Sequence, residues 1–327
     1  MKPFSYRERL FLLKLIRVMV ISQESEIIES VLALGEHIGN TPLYELQHLS
    51  PKKSVKIFAK LEWMQFGSSV KARPAYNIIK QALINGDLGE GKVLLDASSG
   101  NTAIAYATIG ARLKIPVTIC LPENASWERK MLLKGLGVKI VYTSKFGSTD
   151  EAQEKAQEMY NNEPDKYFLA NQYGNENNWK AHYETTSQEI LNDVGNEITH
   201  FVTGLGTTGS FTGISKALKE YNEGITTIAL QPDGALHGLE GWKDMETAIV
   251  PSIYDPSLAD RFMNVDTFDA YETLKLAAKE EGLMLSPSAA ANLKGALQLA
   301  EELDEGVIVT LFPDNAEKYS EVIKSLF

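Results

Sequence analysis

Short runs rich in valine, isoleucine and threonine alternate with longer helical stretches along most of the chain, and this alternation restricts the fold more than any other feature. KIFAKLEW, KVLLDA, IPVTICLP, GVKIVYT, ITHFVTGL, TTIALQP and GVIVTLF are almost continuously apolar, as strands buried on both faces are. Between them RPAYNIIKQALINGDL, TAIAYATIGARL, SWERKMLLKGLG and SFTGISKALKEYNEG read as helices, several closing near a glycine, the residue that best tolerates a left-handed C-cap. Strands and helices in this order imply an α/β fold with mainly parallel sheets and flanking helices. A chain of 327 residues has room for two lobes and needs no staples to hold its core. The polar stretch EMYNNEPDKY, at 158–167, is the expected boundary, giving an N-terminal domain over 1–165 and a C-terminal domain over 166–327.

Charge and cysteine usage exclude several classes. The net charge is −11, which offers no basic footprint for nucleic acid or for an anionic membrane surface. The single cysteine, Cys120, falls in an apparent buried strand. It can make no internal disulfide and belongs to no zinc spacing, so a reducing cytoplasm is the expected location and no metal is expected. The basic, apolar N-terminus MKPFSYRERLFLLKLIRVMVISQ is interrupted by Lys14 and Arg17, which leaves it short of the ~20 apolar residues of a membrane span. No small-residue cleavage site follows it, as a signal peptide would require. An amphipathic helix packed on the body or on a partner subunit is the expectation there.

Three loops carry chemistry-bearing side chains. DASSGNTAIA, at 96–105, follows a strand and opens a helix. The free N–H groups of such a helix start can bind a carboxylate or a phosphate, although Ser, Asn and Thr also serve as simple N-caps. GLGTTGSFTG, at 204–213, has the same placement. Its Gly204, Gly206 and Gly209, with Asp233 beyond the next strand, satisfy the dinucleotide fingerprint and admit a nicotinamide dehydrogenase. Thr207, Thr208 and Ser210 instead crowd the loop with hydroxyls, which suit a terminal phosphate monoester better than a bridging pyrophosphate. In EGLMLSPSAAANLKG, Ser286 and Ser288 precede an alanine-rich helix. The stretch GSSVKARPA places one lysine, Lys71, among small residues. A lysine for an imine, a hydroxyl-lined helix start for a phosphate and a second helix start for a carboxylate are the requirements of pyridoxal 5′-phosphate acting on an amino acid.

The order GNTPLYEL, SSVKAR, SSGNT, NQYGN, HYETT, GLGTTGS, EGLMLSPS and LFPD resembles the cysteine synthase branch of the fold-type II pyridoxal-phosphate enzymes, over roughly residues 30–320. The resemblance implies a two-domain fold with the cofactor in the interdomain cleft. It makes Lys71 the Schiff-base lysine, which also moves the α-proton. Asn101 would meet the cofactor's phenolic oxygen, and Gly206, Thr207, Thr208, Gly209 and Ser210 would cradle its phosphate. Ser98, Ser99, Thr102 and Gln172 would bind the substrate carboxylate, and Ser288 would face the pyridine nitrogen. A neutral serine there need not protonate the ring, which favours prompt loss of a β-leaving group over a long-lived carbanion. The implied reaction is β-replacement through an aminoacrylate: an activated L-serine and sulfide, or another sulfur donor, give L-cysteine. A homodimer acting on a small amino acid is the expected assembly.

Departures from the family pattern cluster at a few positions. Ala72 stands where relatives usually carry aspartate, Ala103 follows SGNT, and Pro287 interrupts the serine-rich run before the last long helix. HGLEGWKDMETAIVP, at 237–251, replaces a glycine-rich loop. Lys243 in it is placed to contact a substrate phosphate, as a point charge without an arginine's fork. Asp244 is placed to act as a base on water. Water in place of sulfide would make the chain a lyase that releases hydrogen sulfide from cysteine and forms L-serine.

Overall fold

The computed structural model describes residues 26–89 and 91–327, so the N-terminal segment discussed above lies outside the described residues. Ten strands are formed: β1 (Leu43–Glu45), β2 (Val55–Leu61), β3 (Val93–Ala97), β4 (Val117–Pro122), β5 (Lys139–Thr143), β6 (Tyr167–Leu169), β7 (His200–Gly204), β8 (Thr226–Pro232), β9 (Arg261–Val265) and β10 (Gly306–Phe312). The helices are α1 (26–35), α2 (Ala72–Ile84), α3 (Asn101–Leu113), α4 (Trp127–Gly135), α5 (Ser148–Asn162), α6 (Asn177–Ala181), α7 (Ser187–Val194), α8 (Gly209–Tyr221), α9 (Thr267–Glu281), α10 (Pro287–Glu302) and α11 (Ser320–Leu326). All seven runs read as strands are strands, and the α/β class with mainly parallel sheets is borne out.

Two sheets form. One has the order β1-β2-β10-β7-β8-β9, the other β5-β4-β3-β6. Every pairing is parallel except β1 with β2. Alternate residues of the central strands feed cores on opposite faces. Ile308 and Phe312 pack with α9 and α10, whereas Val309 and Leu311 pack with α8. Leu94 packs with α2 and α3, whereas Leu95 and Ala97 pack with α5. Burial on both faces is why these strands lack a polar alternation. No helix among the described residues is long and apolar enough to cross a membrane.

The lobes do not follow a single cut at 165/166. β1 and β2 belong to the larger sheet, where β2 pairs with β10 from Gly306↔Val55 to Phe312↔Leu61. β6, just past the expected boundary, belongs to the smaller sheet beside β3. EMYNNEPDKY is therefore the end of α5 and the turn into β6, a crossover inside one lobe. Strand character can be read locally, but the partner of β10 lies some 250 residues away, and a local apolar pattern carries no information about that pairing.

A buried ionic cluster ties the lobes together beside α2. Arg73 donates to both carboxylate oxygens of Glu62 at 2.8 Å, and to Glu189 on α7 at 2.6 and 2.8 Å. Lys60 on β2 lies 3.0 Å from the same Glu189. Burial opposes the Glu189 carboxylate, yet Arg73 and Lys60 pull it down to about 2. Glu189 therefore remains ionised at neutral pH, and the residue two places after Lys71 is immobilised.

Candidate active site

The carboxyl ends of β3, β7 and β10 converge on a cavity of about 600 Å³ between the lobes, where ligands of open α/β sheets characteristically bind. Lys71 lines it from the residue just before α2. Gly67 and Ser68, at φ +94° and +51°, turn the chain sharply into that position, and the Val70 N–H donates to the Pro313 carbonyl at 2.8 Å. Burial lowers the Lys71 ammonium from its ordinary value, while Asp314 and Glu62 partly offset the shift. Its amine makes no ion pair among the described residues. A lysine that surrenders its proton readily can act as a nucleophile or a base.

β3 leads through Ser98, Ser99 and Gly100 into α3. The Ser98 hydroxyl accepts the Gly100 and Ala103 N–H groups at 3.2 and 3.3 Å, so it caps the helix as well as lining the cavity. Ser99 lines the cavity too. Thr102 donates to Gln172 Oε1 at 2.6 Å, and Gln172 Nε2 donates to the Ala97 carbonyl at 2.8 Å. The Thr102 proton is thus engaged; one Gln172 amide hydrogen remains, together with the free N–H groups of the first turn. Beneath them Asp96 accepts the Ala97 and Gln172 N–H groups at 2.8 and 3.2 Å. Burial pushes its carboxyl up to about 7 despite those donors.

β7 leads through Leu205–Thr208 into α8. Gly206, Thr207 and Ser210 line the cavity. Thr208, at φ +69°, precedes the helix with its hydroxyl buried and unpartnered. A Cβ at Gly206 would lie 2.1 Å from the Gly241 carbonyl oxygen, and one at Gly209 would lie 2.0 Å from Asn178 Oδ1, so Gly206 permits close approach of backbone and Gly209 that of the Asn178 amide. Ser288, in the first turn of α10, lines the same cavity with its hydroxyl 3.3 Å from that of Ser286, the α10 N-cap.

Asn101 and the loop over 237–251 complete the walls. Asn101 Nδ2 donates to Asp314 Oδ2 at 2.9 Å, while its Oδ1 is buried without a partner. Lys243 lines the cavity, 3.2 Å from Asp150 on α5 and 4.9 Å over the Tyr173 ring. Asp244 is not on the cavity wall. Its two oxygens accept the Glu246 N–H at 2.9 Å and the Thr247 hydroxyl at 3.1 Å, so a carboxylate expected to face water at a reacting carbon caps a turn instead. Residues that the sequence did not single out also stand here. His237 lines the cavity, held below its ordinary value by burial against the charges of Asp244 and Asp233. Asp314, fully buried, accepts from Asn101 and Tyr319; the only signal for it was its place in LFPD.

Residues 34–314 match the model of a family described as pyridoxal-phosphate dependent enzyme. The chain belongs to that family. Within it, a cysteine synthase of Aquifex aeolicus is 43% identical over 298 residues, covering 89% of this chain and 90% of the relative. A hydrogen sulfide-producing enzyme from Fusobacterium nucleatum superposes with a TM-score of 0.83 at 35% identity, over 88% of this chain and 98% of that one. An O-ureido-L-serine synthase also gives 0.83, at 31% identity over 88% and 92% of the two chains. The relatives place this family member in the cysteine synthase branch, and its cofactor is pyridoxal phosphate. The residues present fit that group. Buried, unpartnered Thr208 Oγ1 and Asn101 Oδ1 mark polar positions that the protein alone leaves unsatisfied, and a buried polar atom without a partner is costly.

Gly206→Ala is expected to abolish cofactor retention, because the new methyl group would meet backbone 2.1 Å away rather than a movable side chain. Pyridoxal phosphate content after dialysis reads the effect; content equal to the parent protein would show that the loop accommodates a side chain.

Proposed function

We propose that this enzyme replaces the β-substituent of an activated L-serine with sulfide, giving L-cysteine. The observation that supports it is the convergence on one cavity of a buried lysine whose pKa burial lowers, a hydroxyl-lined α8 start and a second helix start bearing Ser98 and Ser99 with Gln172 beside it. Pyridoxal phosphate, when bound, supplies an aldehyde that captures an amine and a ring that draws electrons from Cα. Lys71 would hold it and would take the proton from Cα of the amino acid. Gly206, Thr207, Thr208, Gly209 and Ser210 would hold the phosphate, with the α8 N-terminus favouring its charge. Ser98, Ser99, the remaining Gln172 hydrogen and the backbone N–H groups of α3, including that of Thr102, would hold the substrate carboxylate. Asn101 keeps one Nδ2 hydrogen for the phenolic oxygen after donating to Asp314. Ser288, which lines the cavity, would offer the pyridine nitrogen a neutral hydroxyl rather than a carboxylate, which would favour expulsion of the β-substituent over storage of the electron pair at Cα. The same proposal includes a cytoplasmic homodimer, which light scattering would read.

A second reading draws on the hydrogen sulfide-producing relative: release of sulfide from L-cysteine with water in its place. Incubating the purified enzyme separately with O-acetylserine, O-phosphoserine and L-cysteine, with and without added sulfide, distinguishes the readings. L-Cysteine formed from an activated serine supports the first, and L-serine formed from L-cysteine supports the second. If no β-substituted product formed from any of the three, both would fall.

A further inference from the structure

Asn178, on the short helix α6, lines neither the cavity nor any surface, yet its side chain bridges the loop before α8 and the segment that carries Gln172. It is only 1% exposed. Its Nδ2 donates to the Gln172 carbonyl oxygen at 2.6 Å and to Thr207 Oγ1 at 3.1 Å. An amide nitrogen carries two hydrogens, so both bonds form at once and the donor is saturated. The orientation of the amide follows from its neighbours. With Nδ2 and Oδ1 exchanged, an acceptor would face the Gln172 carbonyl at 2.6 Å, which is repulsive. Oδ1 in turn is buried without a partner and packs on Gly209, where a Cβ would lie 2.0 Å away.

The consequence falls on Thr207. A hydroxyl has one proton, and Asn178 occupies a lone pair of this one, so the proton is left to donate elsewhere. No acceptor for it exists among the described residues, and Thr207 lines the cavity. We propose that Asn178 is a positioning residue that turns the Thr207 proton towards the cofactor phosphate and couples the phosphate loop to the segment carrying Gln172. This rests on the reading of GLGTTGS as the phosphate site. Donation to a charged phosphate is the strong kind of hydrogen bond, so direction matters more here than presence. Gly209 is required by the same contact, because any larger residue would push the amide away from Thr207.

Asn178→Asp tests direction, since the carboxylate would accept the Thr207 proton and withdraw it from the phosphate. Asn178→Ala removes the donor without adding charge and serves if the aspartate variant fails to fold. Thr207→Val keeps the shape and deletes the hydroxyl. The dissociation constant of pyridoxal phosphate from reconstituted protein, and the ³¹P titration of the bound phosphate, are the readouts. We expect Asn178→Ala and Thr207→Val each to weaken binding about tenfold or more, the scale of a bond to a charged group, and to shift the ³¹P titration alike. In the Thr207→Val background, Asn178→Ala should then add little further loss. Equal loss in both backgrounds, or an unshifted ³¹P titration in Asn178→Ala, would overturn the positioning role alone. Unchanged binding in Thr207→Val would overturn the phosphate reading beneath it and the proposal with it.

Discussion

Lys71→Ala is expected to abolish turnover while leaving the fold intact. The side chain sits just before α2 against a cavity, and its amine makes no ion pair among the described residues. Loss of a positioned base alone costs about 10² to 10⁴-fold, and here the group that would hold the cofactor is lost as well. The sign of the stability effect follows from linkage. Burial lowers the folded-state pKa of Lys71 below its ordinary 10.5. The unfolded chain therefore binds the proton first as pH falls below that value, and a stability cost develops that is complete below the folded pKa. At neutral pH the cofactor-free Lys71→Ala protein should therefore melt no lower than the parent. Steady-state turnover and a thermal melt of the cofactor-free protein check the two halves. Measurable turnover, or a lowered melt, would contradict the role given to this lysine.

Arg73→Ala should have the largest effect on stability. Its removal leaves Glu62, whose side chain is fully buried, without its cationic partner, and leaves Glu189 with Lys60 and the Asn40 N–H. Breaking a buried ion pair by deleting one partner costs roughly 3–5 kcal/mol. Arg73→Lys should recover only part of this, because an ammonium cannot bond two carboxylates through parallel pairs of donors. Activity should fall too, since the Arg73 fork holds the chain that presents Lys71. The denaturation midpoint in urea is the measurement; a midpoint unchanged in Arg73→Ala would show that the cluster bears none of the fold's stability.

What the sequence disclosed depended on whether the signal was local. Strands buried on both faces are legible because their runs are mostly apolar, with only single polar residues such as Asp96 and Thr310 among them. β1 and β6 are three residues each, and β9 is an edge strand with Arg261, Phe262 and Asn264 exposed, so none shows a continuous run. The two binding loops were legible because a strand, a cluster of Gly, Ser and Thr and a helix follow one another directly. Asp314 and Asn178 were not, since each owes its meaning to a partner distant in sequence, 213 residues away in one case and 29 in the other. The 237–251 loop has no periodicity, and Asp244 shows the result: the residue type suited a base, while the hydrogen bonds assign it to a turn.

The central claim is that the cofactor is held on Lys71 inside the cavity between the sheets. Borohydride reduction of the holoenzyme followed by peptide mapping tests it most directly. The pyridoxyl label should appear on the peptide containing Lys71 and on no other. A label on Lys243, the other lysine of the cavity wall, or on any lysine elsewhere would contradict the account.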